Sequence, residues 1–166
     1  MLSEPKFQSS KVDIILTNYN KSNFIEEAIN SVINQTFTNW KLIIIDDCSE
    51  DKSKKILSNY QNNKIKIIFL SKNKGVAFCR NLGIRLSNSK YISFLDADDY
   101  WSKNKLLEQI SFMEKFNYSF TYTDYTPFIE KKNKKILKKK ITAPDSFNYN
   151  QFLKNTSIGM SSMIIE

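Results

Sequence analysis

The feature that most constrains the fold is a strict alternation of apolar runs with amphipathic helical segments. The apolar runs read "VDIILT", "WKLIIIDD", "KIKIIFL" and "YISFLD", and a fifth, "YSFTYTDY", follows further along the chain. Several of them are apolar throughout rather than alternating, which is typical of strands buried on both faces of a parallel sheet. We therefore predict an α/β fold with a mainly parallel sheet and helices on both faces.

Local signals predict where the intervening helices begin and which side they bury. Asn23 followed by Glu26 fits a capping box at the start of the first helix, and Ser49 is predicted to cap the second. Three apolar residues of the third helix are expected to face the sheet: Val76, Cys79 and Leu86.

The pattern weakens after residue 126. The segment "EKKNKKILKKK" predicts a solvated loop or a lysine-rich hairpin, residues 146–155 a short helix, and "GMSSMIIE" a last strand. We expect one domain over residues 12–166, preceded by a tail at 1–11.

The composition narrows the possible chemistry. The chain has no histidine, which excludes His-based triads and His metal sites, and the spacing of Cys48 and Cys79 indicates neither a metal site nor a disulfide framework. A formal charge of +8 favours an anionic partner, such as a nucleotide or an anionic membrane surface, or reflects a lysine-rich surface with no partner. Without a signal peptide or an apolar run of ~18 residues, we expect a cytoplasmic protein with at most peripheral membrane contact.

Acidic residues follow two predicted strands at the point where each strand ends. Asp46 and Asp47 end the second run, and Asp96, Asp98 and Asp99 end the fourth. Since ligands of open α/β sheets bind at the carboxyl ends of the strands, these acids are expected at one edge. One Asp in such a place is an ordinary turn former, but two clusters favour bound Mg²⁺ or Mn²⁺. The pattern predicts a diphosphate-bearing substrate held through that metal.

Other nucleotide-binding and acidic folds lack their signatures in this chain. The turn "ILTNYNKSN" has no glycine where a dinucleotide-binding domain needs one, and no phosphate-binding P-loop occurs. A receiver domain would carry its acidic pair after the first strand rather than the second. The basic run lacks the interleaved aromatic residues of a nucleic-acid surface, so no nucleic-acid partner is predicted.

Four segments join these strand ends to polar turns: "VDIILTNYN", "SVINQTFTNWKLIIIDDCSED", "NKGVAFCRNLGI" and "YISFLDADDYW". In this order and spacing they resemble family 2 glycosyltransferases, inverting enzymes of the GT-A (Rossmann-like) fold that include many bacterial cell-surface polysaccharide enzymes. The resemblance runs from about Val12 to about Tyr125 and continues weakly to the end.

The resemblance implies a donor-binding role for the residues after the first two strands. Thr17 and Tyr19 would cradle the nucleobase, with Asn20 in support. Asp47, with its neighbour Asp46, would accept hydrogen bonds from the base, typically uracil.

The resemblance also implies a different role for each of the acids at the end of the fourth strand. Arg80 would lie near the donor phosphates and Asp96 near the ribose. Asp98 would coordinate Mn²⁺ or Mg²⁺, with Asp99 as an orienting or acceptor-side group. The metal and Arg80 would stabilise the charge that builds on the departing diphosphate.

The implied reaction moves a sugar from a nucleoside diphosphate sugar, with UDP favoured, to a cell-surface or lipid-linked glycan at the inner face of the membrane. Its general base normally comes from a later acidic motif, which we expect beyond Glu166, so the chain is expected to be truncated. The competing hypothesis is a non-catalytic domain or remnant that binds the nucleotide sugar without transferring it. The basic surface at Lys131 to Lys140 favours anionic lipid as a hypothesis.

Overall fold

The computed structural model describes residues 12–131, 134–146, 148, 150, 153–154 and 158–166. The predicted tail at 1–11 and half of the residues of the predicted helix at 146–155 lie outside them. The strands are β1 (Val12–Asn18), β2 (Trp40–Asp46), β3 (Ile65–Phe69), β4 (Tyr91–Asp96), β5 (Phe120–Thr121), β6 (Phe128–Lys131), β7 (Lys134–Leu137) and β8 (Ile164–Ile165). The helices are α1 (Ile25–Ile33), α2 (Ser53–Leu57), α3 (Val76–Leu86) and α4 (Lys105–Phe116).

Six strands form one sheet in the order β3-β2-β1-β4-β8-β5. The first four strands along the chain pair in parallel, whereas β8 pairs antiparallel with β4 and β5. The predicted mainly parallel α/β sheet is therefore confirmed. The chain proceeds from β1 to β2 and β3 on one side and then crosses to β4 on the other, so the strand order reverses between β1 and β4. Open α/β sheets bind ligands in the crevice at such a reversal.

Helices cover both faces of the sheet. Ile14 and Leu16 of β1 pack into a core that includes buried residues of α1, α2 and α4. Ile15, between them, belongs to a second core on the other face with Cys79 of α3. Successive strand residues point to opposite faces of the sheet. Both kinds of position in β1 are apolar because helices cover both faces. The predicted placement of helices is confirmed.

A glycine sets the close approach of α3 to β1. A Cβ added at Gly83 would lie 2.4 Å from Cγ2 of Ile15, so the two elements meet at a distance that a side chain would prevent. Cys79 is buried one turn earlier, but Val76 and Leu86 are exposed. The expected burial of those two residues is wrong, because only the middle of the helix contacts the sheet.

Neither predicted side-chain cap, Asn23 nor Ser49, forms. Phe24 precedes α1 and donates its N–H to the Lys21 carbonyl at 2.9 Å, and no side chain caps this helix. Lys52 precedes α2, again without a side-chain cap. A backbone turn takes the place of the first cap, and Ser49 is used in the site described below.

The chain after α4 differs in part from the prediction. The predicted fifth strand at 118–125 is reduced to two residues, because its partner β8 is itself only two residues long. A short 3₁₀-helix, Met160–Ser162, takes up part of the predicted last strand. The basic run contributes to an antiparallel hairpin, β6–β7, which confirms the hairpin alternative. Among the described residues, no helix has the length and hydropathy needed to span a bilayer.

Candidate functional site

The register of the parallel strands aligns the predicted site residues at one sheet edge. Thr17 of β1 pairs with Asp96 of β4, and Asn18 pairs with Asp46 of β2. The carboxyl ends of three adjacent strands therefore meet beside the strand-order reversal. Residues far apart in the chain become neighbours there, as the sequence predicted.

Both carboxylate oxygens of Asp46 accept hydrogen bonds within the turn that follows β2. The residue is 0% exposed, and its Oδ1 accepts a hydrogen bond from Asn18 Nδ2 at 2.6 Å. Its Oδ2 accepts from the Ser49 N–H at 3.0 Å, and Asn18 also donates to Ser49 Oγ at 3.1 Å. With both oxygens paired and no exposed surface, Asp46 holds the β1 and β2 ends together.

Asp47 fastens the start of α3 to the sheet edge. Its Oδ1 accepts from the Lys74 N–H at 2.7 Å and its Oδ2 from the Gly75 N–H at 2.8 Å. Gly75 has φ of 86°, a conformation that favours glycine. Burial, and then the charge and hydrogen bonding of Asp47, raise the pKa of Cys79 to about 12. That thiol therefore stays protonated and is no nucleophile.

Asn20 fixes the loop after β1 against the loop after β2. Its N–H donates to Ser49 Oγ at 2.9 Å, and its Oδ1 accepts from the Glu50 N–H at 2.8 Å. Its φ of 53° lies in the left-handed region, which Asn tolerates better than most residues. The neighbouring Tyr19 is exposed, so its ring is available on a loop whose backbone is fixed.

Asp96 joins two strands and a helix. Its Oδ1 accepts from Thr17 Oγ1 at 3.3 Å and from Arg80 Nη2 at 2.7 Å. Arg80 reaches it from α3, and Arg80 Nε is buried without a hydrogen-bond partner among the described residues. Part of this guanidinium's hydrogen-bonding capacity is therefore unused.

Asp98 is the most accessible carboxylate with a cation beside it at this edge. Its Oδ2 lies 2.7 Å from Nζ of Lys21, and the two side chains are 43% and 42% exposed. An exposed ion pair of this kind contributes about 0–1 kcal/mol to stability, so it is easily exchanged for another cation. Sequence reasoning missed Lys21, because nothing in its spacing relates it to a residue 77 positions later.

Asp99 is held by a residue that sequence reasoning also missed. Ser161 Oγ donates to Asp99 Oδ2 at 2.6 Å and accepts from the Asp96 N–H at 3.0 Å. Trp101 Nε1 in turn donates to the Ser161 carbonyl at 2.7 Å. Burial raises the pKa of Asp99 against the hydrogen bond from Ser161, and the charges of Asp96 and Asp98 raise it further.

A buried lysine of α4 contacts the ring of Trp101. Lys105 Nζ donates to Ser93 Oγ at 2.9 Å and lies 4.1 Å from the centre of the Trp101 ring. Burial holds the pKa of Lys105 well below its usual range. A series of contacts from Lys105 to Trp101 and from Trp101 to Ser161 thus connects α4 to the acids that follow β4.

The carboxylates at this edge suit a divalent cation that is held jointly by the protein and by the phosphates of a substrate. Among the described residues, no group of three or more acidic, His or Cys side chains could enclose a metal by itself. Mg²⁺ and Mn²⁺ are commonly held by one or two carboxylates together with substrate phosphates. The reachable carboxylate of Asp98, already paired with a positive charge, fits that mode.

A separate groove lies between α4 and the segment that follows it. Its volume is about 900 Å³, and its walls include Gln109, Phe112 and Asp124. None of the acids that follow β2 or β4 lines it, so it is not the site predicted from the sequence.

Solved structures with the same fold are glycosyltransferases. Residues 1–349 of S. aureus TarS in complex with UDP match with a TM-score of 0.62 and 28% identity, over 66% of this chain and 34% of that one. The mannosyltransferase PcManGT from Pyrobaculum calidifontis, 16% identical, matches with a TM-score of 0.63 over 72% of this chain and 37% of that one. The predicted GT-A fold is confirmed.

Curated relatives match over nearly the whole chain. TuaG of Bacillus subtilis (strain 168), whose name refers to teichuronic acid biosynthesis, is 36% identical over 93% of this chain and 62% of its own length. WfgD of Escherichia coli, named as a UDP-Glc:alpha-D-GlcNAc-diphosphoundecaprenol beta-1,3-glucosyltransferase, is 37% identical over 93% of this chain and 60% of its own length. The chain thus spans about three fifths of the length of these relatives. The model of glycosyl transferase family 2 matches residues 13–164, and the chain belongs to that family.

Proposed function

We propose that the chain binds a nucleoside diphosphate sugar, with UDP favoured, at the carboxyl ends of β1, β2 and β4, for transfer of the sugar to a cell-surface glycan. The observation that carries this proposal is the accessible Asp98 carboxylate, which lies beside Lys21 and follows the Asp96–Arg80 pair. TarS, 28% identical, has been solved in complex with UDP and with UDP-GlcNAc, which supports the choice of nucleotide.

The nucleobase would lie against the loop after β1. Tyr19 offers an exposed ring for stacking, and Thr17 lies at the same edge. Asp47 borders this space, and its oxygens retain lone pairs beyond those used by Lys74 and Gly75. Asp46 has no exposed surface, so we assign it to the turn rather than to the donor.

The diphosphate would lie over the acids of β4. Asp98 would hold Mn²⁺ or Mg²⁺, which when bound supplies positive charge to the departing diphosphate. Arg80 and Lys21 would add positive charge near this diphosphate, where negative charge develops in the reaction. Asp96 would approach the ribose, and Asp99 would keep the turn in place through its hydrogen bond from Ser161.

The transfer breaks the bond between the anomeric carbon and the diphosphate oxygen and forms one to an acceptor hydroxyl oxygen. The hydroxyl proton needs a general base, and the proposal assigns that role to none of the described residues. The printed name of WfgD includes a diphosphoundecaprenol acceptor. By analogy we propose a lipid-linked glycan as the acceptor, met at the inner face of the membrane.

A melting experiment tests the donor site. UDP at about ten times its Kd is expected to raise the Tm by about 3–6 °C in the presence of Mn²⁺, and much less with a chelator. Asp98→Ala is expected to remove the metal-dependent part while the protein without ligand melts as before. A panel of UDP, GDP, dTDP and CMP in the same assay identifies the base.

Asp124→Ala is the matched control, because Asp124 also pairs with a lysine, Lys140, at 2.7 Å near the carboxyl end of a strand. It should leave the response to UDP and Mn²⁺ intact. Equal UDP binding with chelator and in Asp98→Ala would show that the metal assignment is wrong. Absence of binding by any of the four nucleotides would reject the donor site itself.

A further inference from the structure

The β6–β7 hairpin has two faces of different character. Its register pairs Phe128 with Leu137, Ile129 with Ile136, Glu130 with Lys135, and Lys131 with Lys134. Directly opposite residues of an antiparallel pair point to the same side, and successive residues point to opposite sides. One face therefore carries the phenylalanine and Lys135, and the other carries the two isoleucines and the lysine pair.

The inner face anchors the hairpin beside the candidate site. Phe128 packs on Tyr100 with ring centres 5.5 Å apart, and Lys135 Nζ lies 4.1 Å from the centre of the Tyr100 ring. Lys135 also forms an ion pair with Glu27 of α1. Since Tyr100 directly follows Asp99, the hairpin is fixed next to the acids that follow β4.

The outer face combines apolar and basic groups in contact with solvent. Ile129 and Ile136 are 36% and 44% exposed. Lys131 and Lys134 flank the isoleucine pair. Exposed apolar groups that lie together and are rimmed by charged residues are typical of surfaces that contact a protein or a membrane.

The positive charge of this region is largely uncompensated. Lys131, Lys134, Lys138 and Lys139 are exposed, and in the described part of the chain none of them has an ion pair. Lys140 differs, because it pairs with Asp124. Lys131 and Lys134 thus share the outer face with the exposed apolar pair, and Lys138 and Lys139 follow directly after β7.

We propose that the outer face of the β6–β7 hairpin docks on an anionic lipid surface. Apolar side chains enter the boundary between headgroups and acyl chains, while lysines contact anionic headgroups with their aliphatic stems along the apolar layer. A nucleic acid would use the charge but not the isoleucines. The inference rests on the proposed function for its purpose, since a hairpin fixed to Tyr100 would turn the donor site toward a lipid-linked acceptor.

Vesicle co-sedimentation tests the docking surface without any donor. The protein is expected to bind phosphatidylglycerol-containing vesicles, less so as NaCl rises, and not to bind pure phosphatidylcholine. The variant K131Q/K134Q/K138Q/K139Q is expected to lose more than about 100-fold in partitioning. Ile129→Thr with Ile136→Thr, which keeps all charges and strand-favouring side chains, is expected to lose about tenfold.

Two matched controls locate the effect. K52Q/K54Q/K55Q/K66Q removes the same charge from exposed lysines elsewhere, and Ile84→Ala with Leu86→Ala removes exposed apolar groups from α3. Both should bind vesicles nearly as the wild type does. Equal loss in either control would overturn the assignment to the hairpin, and so would unchanged binding in the isoleucine variant, which would indicate charge alone.

The result of the vesicle experiment is independent of the result of the UDP melting experiment. The hairpin variants should keep the wild-type melting response to UDP and Mn²⁺, because no hairpin residue is assigned to the donor. Wild-type protein that binds no anionic vesicle, or that binds a single-stranded RNA oligonucleotide more tightly through the same lysines, would reject the lipid surface while leaving the donor site to its own test.

Discussion

The carboxylates after β2 and those after β4 stand at the same edge of the sheet but do different things. Asp46 and Asp47 are buried, and their four oxygens accept hydrogen bonds from an amide side chain and from backbone N–H groups. Asp96 and Asp98 are partly exposed and are paired with the side-chain cations Arg80 and Lys21. The first pair is therefore held in place by groups of the fold, whereas the second pair has side-chain cations as partners, which another cation can replace.

The contrast shows that the type of partner, and not the number of acids, separates a structural carboxylate from a binding one. Buried backbone N–H groups cannot move into water while the protein stays folded. Removal of the carboxylate that accepts their hydrogen bonds therefore lowers the free energy of unfolding. A half-exposed lysine can move into water at little cost. Three predictions follow from this difference, in decreasing order of effect.

Asp46→Ala should give the largest change in stability. It leaves one N–H of the Asn18 amide and the Ser49 N–H buried without an acceptor, and the free energy of unfolding should fall by about 3 kcal/mol. Urea denaturation followed by circular dichroism measures the loss. Asp98→Ala in the same assay should change stability by less than about 1 kcal/mol. Equal losses in the two variants would remove the distinction between the two strand ends.

The sequence predicts the edge at which both groups of acids lie, because that placement depends on local pattern. Continuous apolar runs indicate parallel strands, and the carboxyl ends of parallel strands meet. Thr17 and Asp96 are thereby brought together although 79 residues separate them. The same pattern makes the two strand ends look equivalent, since each carries adjacent acids.

The sequence does not predict what each carboxylate contacts. Ser161 reaches Asp96 across 65 residues and Lys21 reaches Asp98 across 77, and such pairs depend on tertiary packing that no local spacing encodes. Ser49 illustrates the opposite error. A serine before a helix indicates a cap, but tertiary contacts with Asn18 and Asn20 use its hydroxyl instead.

Lys21→Met should free the Asp98 carboxylate at the end of β4. Without the ammonium group 2.7 Å from Asp98, the carboxylate is open to a divalent cation. Mn²⁺ affinity in the absence of nucleotide should rise about tenfold, or about 1.4 kcal/mol. Electron paramagnetic resonance of free Mn²⁺ measures it directly.

Lys103→Met provides the control for net charge, since Lys103 is an exposed lysine of the segment that follows the acids. It should leave Mn²⁺ affinity nearly unchanged. If both variants tighten Mn²⁺ equally, the effect is one of overall charge and the pairing of Lys21 with Asp98 has no special part in it.

Asp51→Asn tests the β2 side through its pH dependence. Asp51 accepts from the Ser22 N–H at 2.8 Å and the Ser53 N–H at 2.9 Å. Burial opposes ionisation, but hydrogen bonds from these two residues lower the pKa of Asp51 from 3.8 to about 2. Since the folded-state pKa lies below the unfolded one, the stabilisation is complete above about pH 4 and is lost as pH falls toward 2.

The wild type should therefore exceed Asp51→Asn in stability by about 1 kcal/mol at neutral pH, a value reduced by solvent screening at this partly exposed site. The difference should shrink between pH 4 and pH 2, as measured by urea denaturation at each pH. Glu50→Gln, at an exposed neighbour whose side chain is not part of the turn, should show no such convergence. A gap between wild type and Asp51→Asn that stays constant down to pH 2 would mean that Asp51, unlike Asp46 and Asp47, is not held by backbone N–H groups.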